Sequence, residues 1–456
     1  MTPLTAPNPP ASRPAVPVAW SGYLEATRQA ELTRRLGRVT GISGQSIEAI
    51  GPDAMIGEVC EITPNGPYPK LQAEVVGMKP GRVILMPYGE ARGIGSGSEV
   101  LALGSLPRVM VGDALLGRVI DAFGQPLDGG APIVASSTRR LHAPPLNPLT
   151  RPRIDTLLET GVRAIDGLLP LGRGQRVGIF AGSGVGKSTL LGMLARDVKA
   201  DVNVIALIGE RGREVRDFIE KHLGAEGVKR SVVVAATSDQ PALVRTRAAY
   251  AATTIAEQFR DAGKQVLLMM DSVTRFAMAR REIGLAAGEP PTARGYTPSV
   301  FNEIPALCER CGTLDSGGSI TALYTVLVEG DDFNEPISDI VRATLDGHIM
   351  LSRELAHEGH FPAIDVLQSV SRLASDLSNG EEQALMAAVV EVLAVYERNR
   401  QMVDMGAYRI GSNAQVDRAF QVFPALRNVL RQSILESTTR KETLLRLRNA
   451  LGGSSA

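Results

Sequence analysis

The chain of 456 residues has only three cysteines, five histidines and no excess of charge, with 49 basic side chains against 49 acidic ones. Three cysteines cannot form a disulfide framework, which fits a reducing compartment. Cys308 and Cys311 make a C-x-x-C, but with no second pair they read as two unrelated thiols. His357 and His360 lack the H-E-x-x-H spacing that puts two imidazoles on one helical face, so no histidine metal site is expected. Charge neutrality weighs against a nucleic-acid binder, which often carries a basic excess. No apolar run reaches the roughly 18–20 residues that span a bilayer. Met1–Ala19 is rich in Pro, Ala and Thr and has no apolar core, so it is not a secretory signal. It reads as a disordered tail on a cytoplasmic protein.

What remains is ordinary globular composition, 44% hydrophobic and 21% charged, on a chain long enough for several domains. Residues 20–36 place Trp20, Tyr23, Leu24, Leu32 and Leu36 among charges, an amphipathic helix that packs on its own domain or binds a partner. Over 37–104 short β-rich runs alternate with turns such as Pro-Asn-Gly and Lys-Pro-Gly, which predicts a small barrel or sandwich. Over 105–378 apolar strands (Arg176–Phe180, Val202–Ile208, Ser231–Ala236, Gln265–Met270, Ile320–Val328) alternate with helices (Ser188–Lys199, Pro241–Ala262). That pattern predicts a parallel sheet covered on both faces. From 379 to 456 strands stop, and Glu381–Arg400, Asn413–Ser433 and Thr438–Leu451 read as helices. The fold class is therefore α/β, with a β-barrel before the sheet domain and a helical domain after it.

Chemistry concentrates at strand ends. Ala181, Gly182, Ser183, Gly184, Val185, Gly186, Lys187, Ser188 and Thr189 follow one predicted strand and open a helix. Glycines let successive backbone N–H groups turn toward phosphate oxygens, and the helix terminus adds partial positive charge. Lys187 reaches the β- and γ-phosphates, and the Ser188 hydroxyl ligates Mg²⁺. Ala181 stands where this P-loop pattern usually begins with Gly. Val266-Leu-Leu-Met-Met-Asp271 ends a second strand in a carboxylate suited to hold Mg²⁺ through a water. Just past a third strand lies Gly209-Glu210-Arg211-Gly212-Arg213-Glu214, whose Glu210 could polarise a water as general base.

These motifs resemble those of the hexameric ATPase family that contains rotary ATP synthase catalytic subunits, type III export ATPases and the Rho helicase. Leu115–Gly129, Glu159-Thr-Gly-Val-Arg-Ala-Ile-Asp166, Asp271-Ser-Val-Thr-Arg275 and Pro362–Asp365 through Ser371-Arg372 extend the likeness from Gly37 to the end. The resemblance implies a RecA-like core, ATP and Mg²⁺ as cofactors, and a ring of six identical subunits. It implies that Glu210 is the catalytic glutamate, with Arg211 and Glu214 as supporting charges and Arg275 a site arginine. By the same likeness Phe361 stacks on adenine, and Arg372 is a finger reaching the neighbouring subunit's site. A second adenine-side aromatic is expected from the C-terminal domain, with Phe420 and Phe423 as candidates.

Within the family the wording resembles the type III export branch, through Gly209–Ile219 and the lack of an acidic Asp-Glu-Leu-Ser-Glu-Glu-Asp stretch. Ala235–Leu243, Gly295–Phe301 and Asp332–Pro336 are similar to flagellar rather than injectisome members. That implies protein export driven by ATP hydrolysis, with an injectisome ATPase or a rotary catalytic subunit as alternatives. Implied partners are a stator-like regulator at residues 20–36, a central stalk-like protein, an export gate at the inner membrane and chaperone–cargo complexes, but no nucleic acid.

Overall fold

The computed structural model describes Thr27 and residues 34–452, apart from 136, 329–332 and 334. The expected tail and most of the segment 20–36 lie outside the described residues; Leu36 itself begins the first strand. Six strands, β1 (Leu36–Ser43), β2 (Ser46–Ile50), β3 (Val59–Thr63), β4 (Leu71–Lys79), β5 (Arg82–Pro87) and β6 (Glu99–Ala102), close into a barrel in the order β1-β2-β5-β4-β3-β6. Alternation explains the closure: Val39, Ile47, Ala49, Cys60, Ile62, Val75, Leu85 and Val100 point inward as one core. Barrel and not sandwich is the outcome, and it leaves no open sheet edge.

The second domain is built on a nine-stranded sheet. Its main path uses β7 (Val119–Ile120), β8 (Arg176–Ala181), β9 (Val202–Ile208), β10 (Ser231–Ala236), β11 (Gln265–Asp271), β12 (Ser319–Leu327), β13 (Gly347–Leu351) and β14 (Ile364–Ser371). They lie in the order β14-β13-β8-β12-β11-β9-β10-β7. From β13 to β7 neighbours are parallel, as the apolar runs predicted, and β9 is buried along its whole length. At one edge β14 runs antiparallel to β13, and a short strand at Gly312–Thr313 does so to β12. The sheet is therefore mixed at its margins. Both edge partners are too short or too polar to show an apolar run, which is why periodicity missed them.

Helices cover both faces. Those that matter for the site are α1 (Arg163–Leu168), α2 (Lys187–Asp197), α3 (Ala242–Asp261) and α4 (Val273–Ala287). Ser272 caps α4 by accepting from the Arg275 N–H, and Gly288 closes it in the left-handed conformation. After residue 379 come α5 (Gly380–Asp404), α6 (Ala414–Leu430) and α7 (Arg440–Ala450). Asn379 with Glu382 and Thr439 with Glu442 form capping boxes that fix where α5 and α7 begin. These helices bury Leu385, Met386, Val389, Leu426, Leu430 and Leu447 in the same core as α2 and β8, so the helical domain is seated on the sheet domain.

His360 lies at that seam. It is buried, and its Nδ1 has no hydrogen-bond partner among the described residues. Burial, with the nearby Arg427 and Arg431 guanidinium groups, holds its pKa down to about 4. An imidazole depressed in this way is neutral when folded but takes up a proton near pH 6.5 when unfolded. Its contribution is intact above pH 6.5 and is lost as pH falls from there toward 4. His360→Phe should therefore reduce the loss of stability between pH 7 and 5.5 by about 1 kcal/mol. Chemical denaturation of both proteins at the two pH values checks this, and equal losses would refute it.

Candidate active site

Strand β8 ends at Ala181, and the loop 182–186 curls over before α2 starts at Lys187. Gly184 and Gly186 have φ of 78° and 91°, a conformation that glycine adopts without strain. A cavity of about 650 Å³ opens over this loop, lined by Gly182, Ser183, Gly184, Lys187, Ser188, Thr189, Glu210, Arg211, Glu214 and Arg275. Of the residues singled out from sequence, Ala181 and Gly186 also line it, whereas Val185 turns inward and is buried.

Three charged side chains converge beneath the loop. Lys187 Nζ donates to Asp271 Oδ1 at 2.5 Å and to Glu210 Oε1 at 3.3 Å. Asp271 is almost fully buried at the end of β11, and Thr325 Oγ1 on β12 donates to it at 2.6 Å. Burial alone would discharge Lys187, but the Asp271 and Glu210 charges outweigh that and hold its pKa above the ordinary lysine value. Glu210 behaves oppositely. Burial and a hydrogen bond shared with Glu214 push it up to about 7, against the pull of Lys187. Glu214, holding the other end of that bond, is lowered.

Gly209 brings the next element close. A Cβ there would sit 2.9 Å from Arg275 Cβ, so only glycine lets α4 approach the end of β9 this tightly. Arg275 Nε is buried with no hydrogen-bond partner among the described residues. Arg211 is exposed at the rim and 3.7 Å from Glu214. Ser238 and Arg353 also line the cavity; Ser238 falls in the Ala235–Leu243 stretch but carried no role of its own there, and Arg353 opens a short helix with no motif around it. Thr325 carried a weak signal, as a hydroxyl inside an apolar strand.

A second cavity of about 560 Å³ adjoins the first at Gly186 and Thr189 and is lined by Phe361, Pro362, Met193, Gln432, Ser433 and Ile434. The Phe361 ring stands against the loop, 3.7 Å from where a Gly186 Cβ would be. Phe420 and Phe423 are not its opposite wall. Both pack on Tyr396, with Phe423 stacked at 3.5 Å between ring centroids and Phe420 tilted at 4.7 Å. Non-aromatic residues after α6 take that place, because α6 turns its phenylalanines toward α5. Arg372 lies outside both cavities, just past β14, exposed and donating to the Arg342 carbonyl at 3.1 Å.

The donor set fits Mg²⁺-nucleotide. Ser188 and Asp271 offer hard oxygens at the loop's helix end, and the positive-φ glycines leave a cradle that side chains would fill. The orphaned Arg275 Nε adds a buried donor without an acceptor.

Comparisons with known proteins agree. Residues 39–104 match the ATP synthase alpha/beta family's beta-barrel domain, and 161–371 its nucleotide-binding domain. Residues 378–449 match the T3SS EscN ATPase C-terminal domain. The chain is 53% identical to the flagellum-specific ATP synthase of Bacillus subtilis over 420 residues, 92% of this chain and 96% of that one. It is 49% identical to the type 3 secretion system ATPase of Xanthomonas euvesicatoria, across 94% of this chain and 98% of that one. The assembled ATPase EscN from the enteropathogenic E. coli type III secretion system superposes with a TM-score of 0.87 at 45% identity, covering 91% of this chain and all of that one. The chain is an ATPase that belongs to the ATP synthase alpha/beta family, in its type III secretion branch.

Proposed function

We propose that the chain hydrolyses Mg²⁺-ATP as a ring of six identical subunits and that this energises export of flagellar proteins through a type III secretion apparatus. The observation that carries the reading is the convergence of Lys187, Asp271 and Glu210 under a glycine loop at the C-terminal edge of the sheet. Lys187 and the backbone N–H groups of 182–188 bind the phosphates, and Phe361 packs on the base. Ser188, and Asp271 through a water, would hold Mg²⁺, which when bound would neutralise charge on the transferring phosphoryl group. Glu210, raised to about 7, is suited to accept the proton of the attacking water near neutral pH. Glu214 and Arg211 set its charge environment, and Arg275 donates to the nucleotide's phosphate side. Arg372, exposed and clear of its own chain's cavities, acts on the neighbouring subunit's nucleotide.

EscN is described as assembled, and also in complex with its central stalk EscO; the ring and stalk partners proposed here follow those relatives. The segment 20–36 is the proposed docking point for a stator-like regulator, and the ring meets chaperone–cargo complexes at an export gate on the inner membrane. Identity to a type 3 secretion system ATPase carries a second reading, the injectisome. Complementation of a flagellar-export mutant separates the two. A rotary subunit is less favoured by the C-terminal match to the EscN domain.

Glu210→Gln should bind ATP and assemble normally but lose about 10²–10⁴-fold in turnover, because an amide cannot take the water's proton. Steady-state hydrolysis above about a tenth of wild type would move the base elsewhere.

Arg372→Ala should bind ATP nearly as wild type yet lose on the order of 10³-fold in turnover. Mixed with Lys187→Ala it should regain activity beyond the sum of the two, since some interfaces then pair an intact P-loop with an intact Arg372. Cross-linked mixed rings without rescue would remove the finger from the mechanism.

A further inference from the structure

The segment Glu159–Asp166 lines neither cavity, yet its side chains and backbone are tightly hydrogen-bonded. Asp166 folds it back on itself: its carboxylate accepts the Thr160 N–H at 2.9 Å, the Thr160 hydroxyl at 2.8 Å and the Gly161 N–H at 2.8 Å. Gly161 has φ of 75°, and any side chain there would collide with Ser437. The turn thus presses directly on the stretch that follows α6, and it aims Arg163 at that stretch.

Arg163 is almost fully buried and spends its donors on one short piece of the helical domain. Its Nε donates to the Val429 carbonyl at 2.6 Å, its two terminal nitrogens to the Arg431 carbonyl and to Glu436, and its backbone N–H to Gln432 Oε1 at 2.9 Å. Gln432 in turn gives its side-chain amide to the carbonyls of Gly161 and Glu436, and its backbone N–H to the carbonyl of Phe361 at 2.8 Å. Residues 431–434 are the wall of the cavity that faces Phe361. The carbonyls at the end of α6 have no partner in their own helix, and a buried carbonyl left unpaired is costly. A planar fork spreads its donors over three nitrogens and reaches several separated carbonyls at once, whereas an ammonium's three donors all leave from a single atom.

We propose that Arg163 is a positioning residue for nucleotide binding, which sets the distance between the 431–434 wall and Phe361 and so fixes the width of the slot for a purine base. The proposal rests on the reading of that cavity as the seat of the base. No bonding group of Arg163 reaches the phosphate loop, so its effect is confined to the base end of the ligand. The signature is a loss of affinity for ATP with no loss for a ligand that has phosphates and no base.

The test compares Mg²⁺-ATP with Mg²⁺-tripolyphosphate, each titrated by calorimetry into the full-length chain carrying Arg163→Lys. ATP affinity should fall by about tenfold, the size of one charge-assisted hydrogen bond, while tripolyphosphate affinity stays within about twofold. In hydrolysis KM should rise by a similar factor with kcat little changed. Equal losses for both ligands, or no loss for either, overturn the proposal. If Arg163→Lys does not fold, Glu436→Gln decides it with the same two ligands: a smaller loss confined to ATP supports the proposal, and none overturns it. Phe361→Ala run in parallel separates the two layers. If it lowers ATP affinity selectively and Arg163→Lys does not, only the role of Arg163 fails; if it too leaves the ATP-to-tripolyphosphate ratio unchanged, the base site itself is misplaced.

Discussion

A buried ion pair, Lys187 with Asp271, ties the phosphate loop to the sheet. Strands β8 and β11 are not neighbours; β12 lies between them. Two strand spacings come to about 9–10 Å, more than backbone hydrogen bonding can bridge. The lysine stem crosses the gap, and Thr325 on the intervening strand holds the carboxylate it reaches. Removing Lys187 would leave the buried Asp271 carboxylate without a cation, which is far more costly than losing a surface pair, whereas removing Asp271 would leave Lys187 only its longer contact with Glu210. The strand order β8-β12-β11 thus does chemical work: it puts a cation and an anion at the distance one side chain can span, at the edge where the loop's amides point.

Much of this was legible before any coordinates. The glycine loop between strand and helix, and the aspartate ending an apolar strand, are local patterns whose geometry follows from covalent structure and hydrogen bonding. The strands at 202–208 and 231–236 fall where the apolar runs placed them, because a strand buried on both faces has no polar positions to blur its ends. The family motifs led to the ATPase and its branch, and the comparisons agree.

What was hidden lay in long-range packing. Phe420 and Phe423 are the right residue type in the right domain, but the turn of α6 commits them to Tyr396. Nothing local says which face of a helix meets which neighbour. Gln432 and Ser433, which take the expected aromatic's place, look like an ordinary polar helix end. Arg163 was visible as part of a motif, but its bonds run to residues about 270 positions away, such as Glu436, and no periodicity reports such a separation. The edge strand β14 is too polar to show an apolar run, and a bulge breaks what alternation it has, as Asp365 folds back to take the N–H groups of Leu367 and Gln368.

That edge strand has a mechanical meaning. Phe361 and Pro362 lead into it, and Arg372 follows its last residue, bonded through its N–H to the Asp346 carbonyl. Its bulge is braced internally by Asp365 and Ser369, with Ser369 Oγ also accepting the Met350 N–H. The strand between Phe361 and Arg372 is thus cross-braced at its bulge. In the proposed ring, this strand would join the residue proposed to pack on a subunit's own base to the residue proposed to act in its neighbour's site. Because its two ends are different residues, every such strand in a closed ring would point the same way round.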